Sequence, residues 1–132
     1  MKKESDLWRI TKKKTAKINW TRLESWSSFG VPDLLGYHDS CGFFMCELKL
    51  ARSPKISFSP HQILFHHQRK DLIDGNHRNF ILVAQAPKGL PRSIKLYGSN
   101  SVEGLLLDIR EVKPLATDDW KLIEKIISNQ KK

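Results

Sequence analysis

GVPDLLGYHDSCGFFMCELKLA, residues 30–51, holds two short apolar runs separated by a turn sequence. Pro32 has no amide hydrogen to give to a ladder, so the first strand begins after it, at about Leu34 to His38. The turn at Asp39–Gly42 reverses the chain into a second strand, Phe43 to Leu50. Side chains alternate along a strand. Phe44, Cys46, Leu48 and Leu50 therefore share one face, and Glu47 and Lys49 share the other. The first face is core. On the second, a carboxylate removed from water costs on the order of several kcal/mol unless a cation answers it, and either Lys49 or a metal ion can do so.

The flanking segments give this hairpin a setting. Ser5 to Lys17 reads as a basic amphipathic helix capped by Ser5, with Leu7, Ile10 and Ala16 near helical spacing and the basic side outward. Ile18 to Ser25 alternates as a strand, with Ile18, Trp20, Arg22 and Glu24 on one face and Asn19, Thr21, Leu23 and Ser25 on the other. After the hairpin and a basic loop, SPHQILFHHQRKDLIDGN reads as a helix. Ser59 is its cap, Pro60 its first residue, and Gly75 lies just past its end. Ile63, Leu64, Leu72 and Ile73 would form its buried stripe. NFILVAQAP, residues 79–87, is almost continuously apolar and suits a strand covered on both faces at the sheet centre. A shorter strand, SIKLYG, a helix-like SVEGLLLDIREV and a helix at about 118–129 follow, the last with Trp120, Ile123, Ile126 and Ile127 on one side. Helix, three strands, helix, two strands, then helices is the order of an α/β domain with a mixed sheet.

With 132 residues the chain is expected to form a single domain, its core at about 18–97, preceded by the basic helix at about 5–17. Hydrophobic residues are 39% and charged residues 28%, which fits neither a disordered nor a membrane protein. No apolar run approaches the ~20 residues of a membrane helix, and MKKESDLWRITKKK offers no secretion signal, so a cytoplasmic location without a membrane partner is expected. Cys41 and Cys46 form no CxxC pair and are too few for a four-ligand zinc site. Cys46 is expected to pack as a small apolar side chain. The net charge of +9 and pI of about 9.7 favour a polyanionic partner.

Asp33 adds a second carboxylate at the start of the partner strand. Whether it reaches Glu47 depends on register. Two carboxylates at the open end of a hairpin would suit Mg²⁺, which takes hard oxygen ligands at ~2.0–2.1 Å and completes its shell with water and phosphate. Lys49 beside the ion could hold or help deprotonate an attacking water and offset charge on a phosphate. The alternative is an exposed ion pair worth ~0–1 kcal/mol. The coincidence of Asp33, Glu47 and Lys49 on one hairpin of a basic protein weighs toward phosphodiester chemistry. His61, His66 and His67 are spaced by five, six and one, and cannot all converge on a metal as an i, i+4 pair does. Aromatic or DNA-phosphate contacts are expected for His61 and His66. Trp20 and Trp26 are read as core, with base stacking the alternative.

Pro32-Asp33, a hairpin and then Glu47-Leu48-Lys49 resembles the PD-(D/E)XK nuclease superfamily. TRLESWSSFGVPDLLG followed by SPHQILFHHQ is similar to its small VRR-NUC and Holliday junction resolvase-like members, over roughly residues 18–86. The resemblance implies a restriction-endonuclease-like α/β core whose mixed sheet is flanked by helices. It implies a metal-dependent DNA endonuclease in which Glu24, Asp33 and Glu47 hold Mg²⁺, with Mn²⁺ able to substitute. Lys49 would position the water, and Gln62 would orient the nucleophile or phosphate. Lys12, Lys13, Lys14, Ser28, Arg52, Lys55 and His61 would contact DNA. Likeness to junction resolvases implies a branched or four-way substrate and a symmetric homodimer. A flap or nicking nuclease, or a non-cleaving nucleic-acid binding module on the same fold, is the alternative.

Overall fold

The computed structural model describes residues 4–23, 30–69, 78–86 and 92–128. Helix α1 (Glu4–Lys14) leads into β1 (Asn19–Arg22), β2 (Leu34–His38), β3 (Gly42–Ala51), α2 (Pro60–Arg69), β4 (Asn79–Gln85) and β5 (Ser93–Gly98). α3 (Val102–Leu107), β6 (Ala116–Thr117) and α4 (Trp120–Ile127) complete the order. The six strands form one sheet in sequence order. All neighbours are antiparallel except β3 and β4, which run parallel. The parallel pair needs a crossover, and α2 lies within it.

Alternation along the strands divides the core in two. Phe44, Cys46 and Leu48 of β3, Phe80, Leu82 and Ala84 of β4, and Leu96 of β5 pack with Leu7 of α1 and Ile123 and Ile127 of α4. On the opposite face, Ile81 and Val83 of β4 and Tyr97 of β5 pack with Ile56, Phe58, Val102, Leu105 and Ile109. Ile63 of α2 joins this second cluster. The molecule is thus α/β, with a mixed sheet between helical layers. β4 is apolar and buried from Phe80 to Ala84, between the polar Asn79 and Gln85, because both its faces are covered. Among the described residues no helix is long and apolar enough to cross a membrane.

Some local expectations need correction. α1 begins at Glu4, so Ser5 lies inside its first turn and does not cap it. Its buried positions are Leu7 and Thr11, not the Leu7, Ile10, Ala16 pattern. Thr11 is tolerated inside because its hydroxyl donates to the carbonyl of Leu7, which satisfies the polar group within the helix. Leu64 is exposed, because α2 turns Ile63 and His66 inward instead; Leu72, Ile73 and Gly75 lie outside the described residues. SVEGLLLDIREV is broken: α3 stops at Leu107, and the extended Asp108 then caps a short 3-10 turn by accepting from the Arg110 amide. Trp20 packs against the first core cluster, Trp26 lies outside the described residues, and both cysteines are free, Cys46 being fully buried.

Among the described residues two glycines adopt positive φ, Gly30 at 81° and Gly42 at 80°. Gly42 ends the hairpin turn with open space around it, whereas a Cβ at Gly30 would strike the backbone carbonyl of His61. Gly30 therefore lets the segment before Asp33 lie against the first turn of α2. Gly42→Ala should cost about 1 kcal/mol, the left-handed penalty alone. Gly30→Ala adds a backbone collision and should cost about 2–4 kcal/mol. Urea unfolding of both variants checks this, and equal losses would mean that the Gly30 contact carries no weight.

Candidate active site

Pro32 ends the ladder between β2 and β3, and the site forms where it ends. The last ladder pair is Leu34 with Cys46, so Asp33 stands one step on, opposite Glu47. There the Leu48 amide loses its strand partner. The Oδ2 atom of Asp33 accepts it instead at 2.8 Å. A proline that cannot continue a ladder, followed by a carboxylate that takes over the freed amide, is the physical content of the Pro-Asp step.

Glu47 and Lys49 share a face as alternation requires, but that face is not exposed. Glu47 is 0% accessible. Its Oε1 lies 2.8 Å from Nε2 of His66, and its Oε2 lies 3.4 Å from Nζ of Lys49. The second contact is an ion pair without hydrogen-bond geometry, since Oε2 is buried and has no hydrogen-bond partner. The Lys49 side chain is 14% accessible. Its ammonium donates to Oε1 of Gln62 at 2.9 Å and sits 4.7 Å from the centre of the Phe58 ring. An exposed surface pair is thereby ruled out as the description of Glu47 and Lys49.

Gln62 is fixed from two sides. Its Oε1 accepts the Ser59 amide as well as Lys49, while its own amide donates to the Ser59 hydroxyl. This reciprocal Ser-x-x-Gln arrangement caps α2, so one side chain both starts the helix and holds the lysine. The DNA-phosphate reading of His66 is corrected: the ring is fully buried, with Phe58 and Phe65 at its edges. His61 is exposed.

Glu4 is an acid that the sequence pattern does not mark. Burial raises its pKa, and the carboxylates of Asp33 and Glu47 raise it further against the opposing pull of Lys49 and Arg22. Asp33 is also raised, first by burial and then by Glu47, with the Leu48 amide, Lys49 and Arg22 acting the other way. Glu4 lines a cleft of about 420 Å³ with Lys49, Arg52, Ser53 and Lys55, so two predicted DNA contacts share a cleft with Glu4 and Lys49, while Asp33 and Glu47 do not line it. Lys12, Lys13 and Lys14 are exposed in the last turn of α1. At 1.5 Å per residue they stand roughly 12–15 Å along the helix from Glu4.

Glu24 and Ser28 lie outside the described residues. Among the described residues, no three His, Cys, Asp or Glu side chains are gathered so that they could hold a metal ion. Asp33 and Glu47 nonetheless suit a cation: one buried carboxylate oxygen lacks a hydrogen-bond partner, and neighbouring acids repel one another where water is scarce. Comparison with known proteins returns no matching family model, no matching curated protein and no matching solved structure.

The raised pKa of Asp33 has a consequence for stability. The folded protein binds this proton more tightly than the unfolded chain does. Asp33 therefore lowers stability above its folded pKa, and that loss disappears as pH falls below the ordinary value of 3.8. Asp33→Asn keeps an oxygen for the Leu48 amide and removes the charge. It should raise Tm at pH 7 by a few degrees, at about 3 °C per kcal/mol for a domain of this size, and the gain should shrink as pH falls to the ordinary value of 3.8. A variant that melts below the parent at pH 7 would make Asp33 a net stabiliser.

Proposed function

We propose that this protein is a metal-dependent DNA endonuclease of the PD-(D/E)XK type, with a restriction-endonuclease-like core, acting on branched DNA in the manner of a junction resolvase. The observation that carries this reading is the enclosure of Glu47 beside Lys49 on one sheet face with Asp33 opposite, Lys49 itself lining a cleft bordered by Glu4, Arg52 and Lys55. A protein that only grips phosphates gains from exposed cations and has no use for carboxylates kept from water. Hydrolysis of a phosphodiester needs both.

Asp33 and Glu47, with Glu24 or Glu4, would hold Mg²⁺ or Mn²⁺. When bound, such an ion supplies Lewis-acid activation of water and neutralises charge at the phosphate. Lys49, held among Glu47, Gln62 and Phe58, offsets the charge that develops on the phosphate as the water oxygen joins phosphorus and one ester bond breaks. Gln62 holds the ammonium in place and so sets where that positive charge falls. Arg52, Lys55 and His61, with Lys12, Lys13 and Lys14 further along, grip the backbone without reading bases. Paired incisions in a four-way junction would need two copies related by a two-fold axis.

The test is incubation of a labelled four-way junction, a flap and a linear duplex with Mg²⁺, with and without EDTA. Cutting of the junction that EDTA abolishes is expected, and Asp33→Ala or Glu47→Ala should lower the rate by at least ~100-fold, the scale of losing a charge-stabilising group. Binding without cutting on every substrate would favour the non-cleaving module. Preferential cutting of the flap would favour the flap or nicking nuclease. Sedimentation without DNA tests the dimer.

Salt dependence tests the basic residues separately. Replacing Lys12, Lys13 and Lys14 together with Ala should weaken DNA binding on all sequences and reduce the slope of log K against log salt by about 3, one for each phosphate no longer neutralised. An unchanged slope, measured by anisotropy titration, would remove the end of α1 from the DNA interface.

A further inference from the structure

Behind Glu47 lies a chain of buried polar groups that the proposed hydrolysis does not touch. Nε2 of His66 is 2.8 Å from Oε1 of Glu47, and Nδ1 of the same ring is 2.8 Å from Oγ of Ser99. Glu47, His66 and Ser99 are all buried. An ionised carboxylate only accepts, so the Nε2 position must carry the hydrogen. In the neutral form of the ring the Ser99 hydroxyl then donates to Nδ1, so that the two contacts together select one tautomer. The edge contacts of Phe58 and Phe65, with ring centres 6.1 and 5.3 Å away, hold the ring's orientation. One carboxylate oxygen is thus occupied from behind. The other, Oε2, is left beside Lys49 with no hydrogen-bond partner.

We propose that His66 is a positioning residue: it pins Glu47 through Oε1 so that Oε2 is presented to a divalent cation, and Ser99 fixes the imidazole tautomer that makes the pin. This rests on the nuclease reading above. A histidine that hydrogen-bonds a ligating carboxylate from behind governs how that ligand is aimed, and losing such a partner typically costs about 10–100-fold in metal affinity. His66 touches neither substrate nor reacting atoms. Its influence passes through Glu47.

Two substitutions separate aiming from packing. In His66→Gln the amide nitrogen falls near the place of Nε2 and keeps a donor for Glu47. In His66→Asn the amide falls near Nδ1 and stops short of it. Mn²⁺ binding by calorimetry on the full chain, kcat and KM for cutting, and Tm are then compared. His66→Asn should weaken Mn²⁺ about 10–100-fold and lower kcat while the KM for DNA stays put. His66→Gln should lie within about threefold of the parent in both respects. If the two variants lose Tm alone, with Mn²⁺ affinity and kcat unchanged, the residue is only structural and the proposal is overturned.

Should His66→Asn fail to fold, Ser99 decides. Ser99→Ala should weaken Mn²⁺ in the parent by about 3–10-fold, the lower part of the range for such partners. It should do nothing in His66→Gln, since an amide has no tautomer to select. Equal losses in both backgrounds would overturn the relay. A parent protein that neither binds Mn²⁺ nor cuts DNA overturns the nuclease reading and the positioning role together, whereas a parent that does both beside indifferent variants overturns the positioning role alone.

Discussion

A carboxylate taken fully out of water governs the arrangement of this domain. Glu47 has no accessible surface, and an ion in that position costs several kcal/mol (roughly) even after relaxation. Its neighbours answer that cost from three directions: His66 on one oxygen, Lys49 near the other, and Phe58 over the ammonium of Lys49. Apolar residues of similar size would often be more stable in such a place. The carboxylate is held here by paired polar partners and not replaced by apolar packing.

The same tension shapes the neighbourhood. Desolvation pushes Asp33 and Glu4 toward protonation, the charge of Asp33 adding to the effect on Glu4 and that of Glu47 to the effect on both, while Arg52 and Lys55 stand exposed at the cleft. Glu4 is exposed at the same cleft, and Lys49, which also lines it, is paired with the fully buried Glu47, so charges of both signs shape the field over this small region. Desolvation and repulsion among these acids thus concentrate an electrostatic cost at one end of the β2–β3 pair. The N-terminal helix contributes charges of both signs, with Glu4 at the cleft and three lysines in its last turn, an order that also suits its dipole.

The fold could be read from residues whose roles are local. Pro32, the turn ending at Gly42, and the unbroken apolar run of β4 declare the hairpin and the central strand, because each is set by backbone chemistry or by burial on both sides. Pairing Asp33 with Glu47 was open in the sequence and follows only from the register of β2 on β3. Glu4 was illegible: a single acid at the start of a helix carries no mark of what it will face across a gap of almost thirty residues. His66 is misjudged when its spacing is weighed against other histidines and not against the strand beneath it. Gln62 carried a readable signal, the Ser-x-x-Gln spacing of a capping box, beside its implied part in the site. Ala116–Thr117 escaped notice since two residues are too few to show alternation.

The missing signal lay in two periodicities taken together. Glu47 and Lys49 are two apart on a strand, a separation of about 6.6 Å, and Gln62 and His66 are four apart on a helix, about 6.0 Å. The contacts run Glu47 to His66 and Lys49 to Gln62, so strand numbers rise as helix numbers fall. A helix that returns the chain from β3 to the start of the parallel β4 must run opposite to β3, and this sense of pairing is what the crossover imposes. Polar residues at i and i+2 on a strand, followed across a crossover by polar residues at i and i+4 on one helix face, can thus meet as matched pairs. The match lets one helix secure both charges of the strand, one by its capping residue and one from its next turn, without a loop between them.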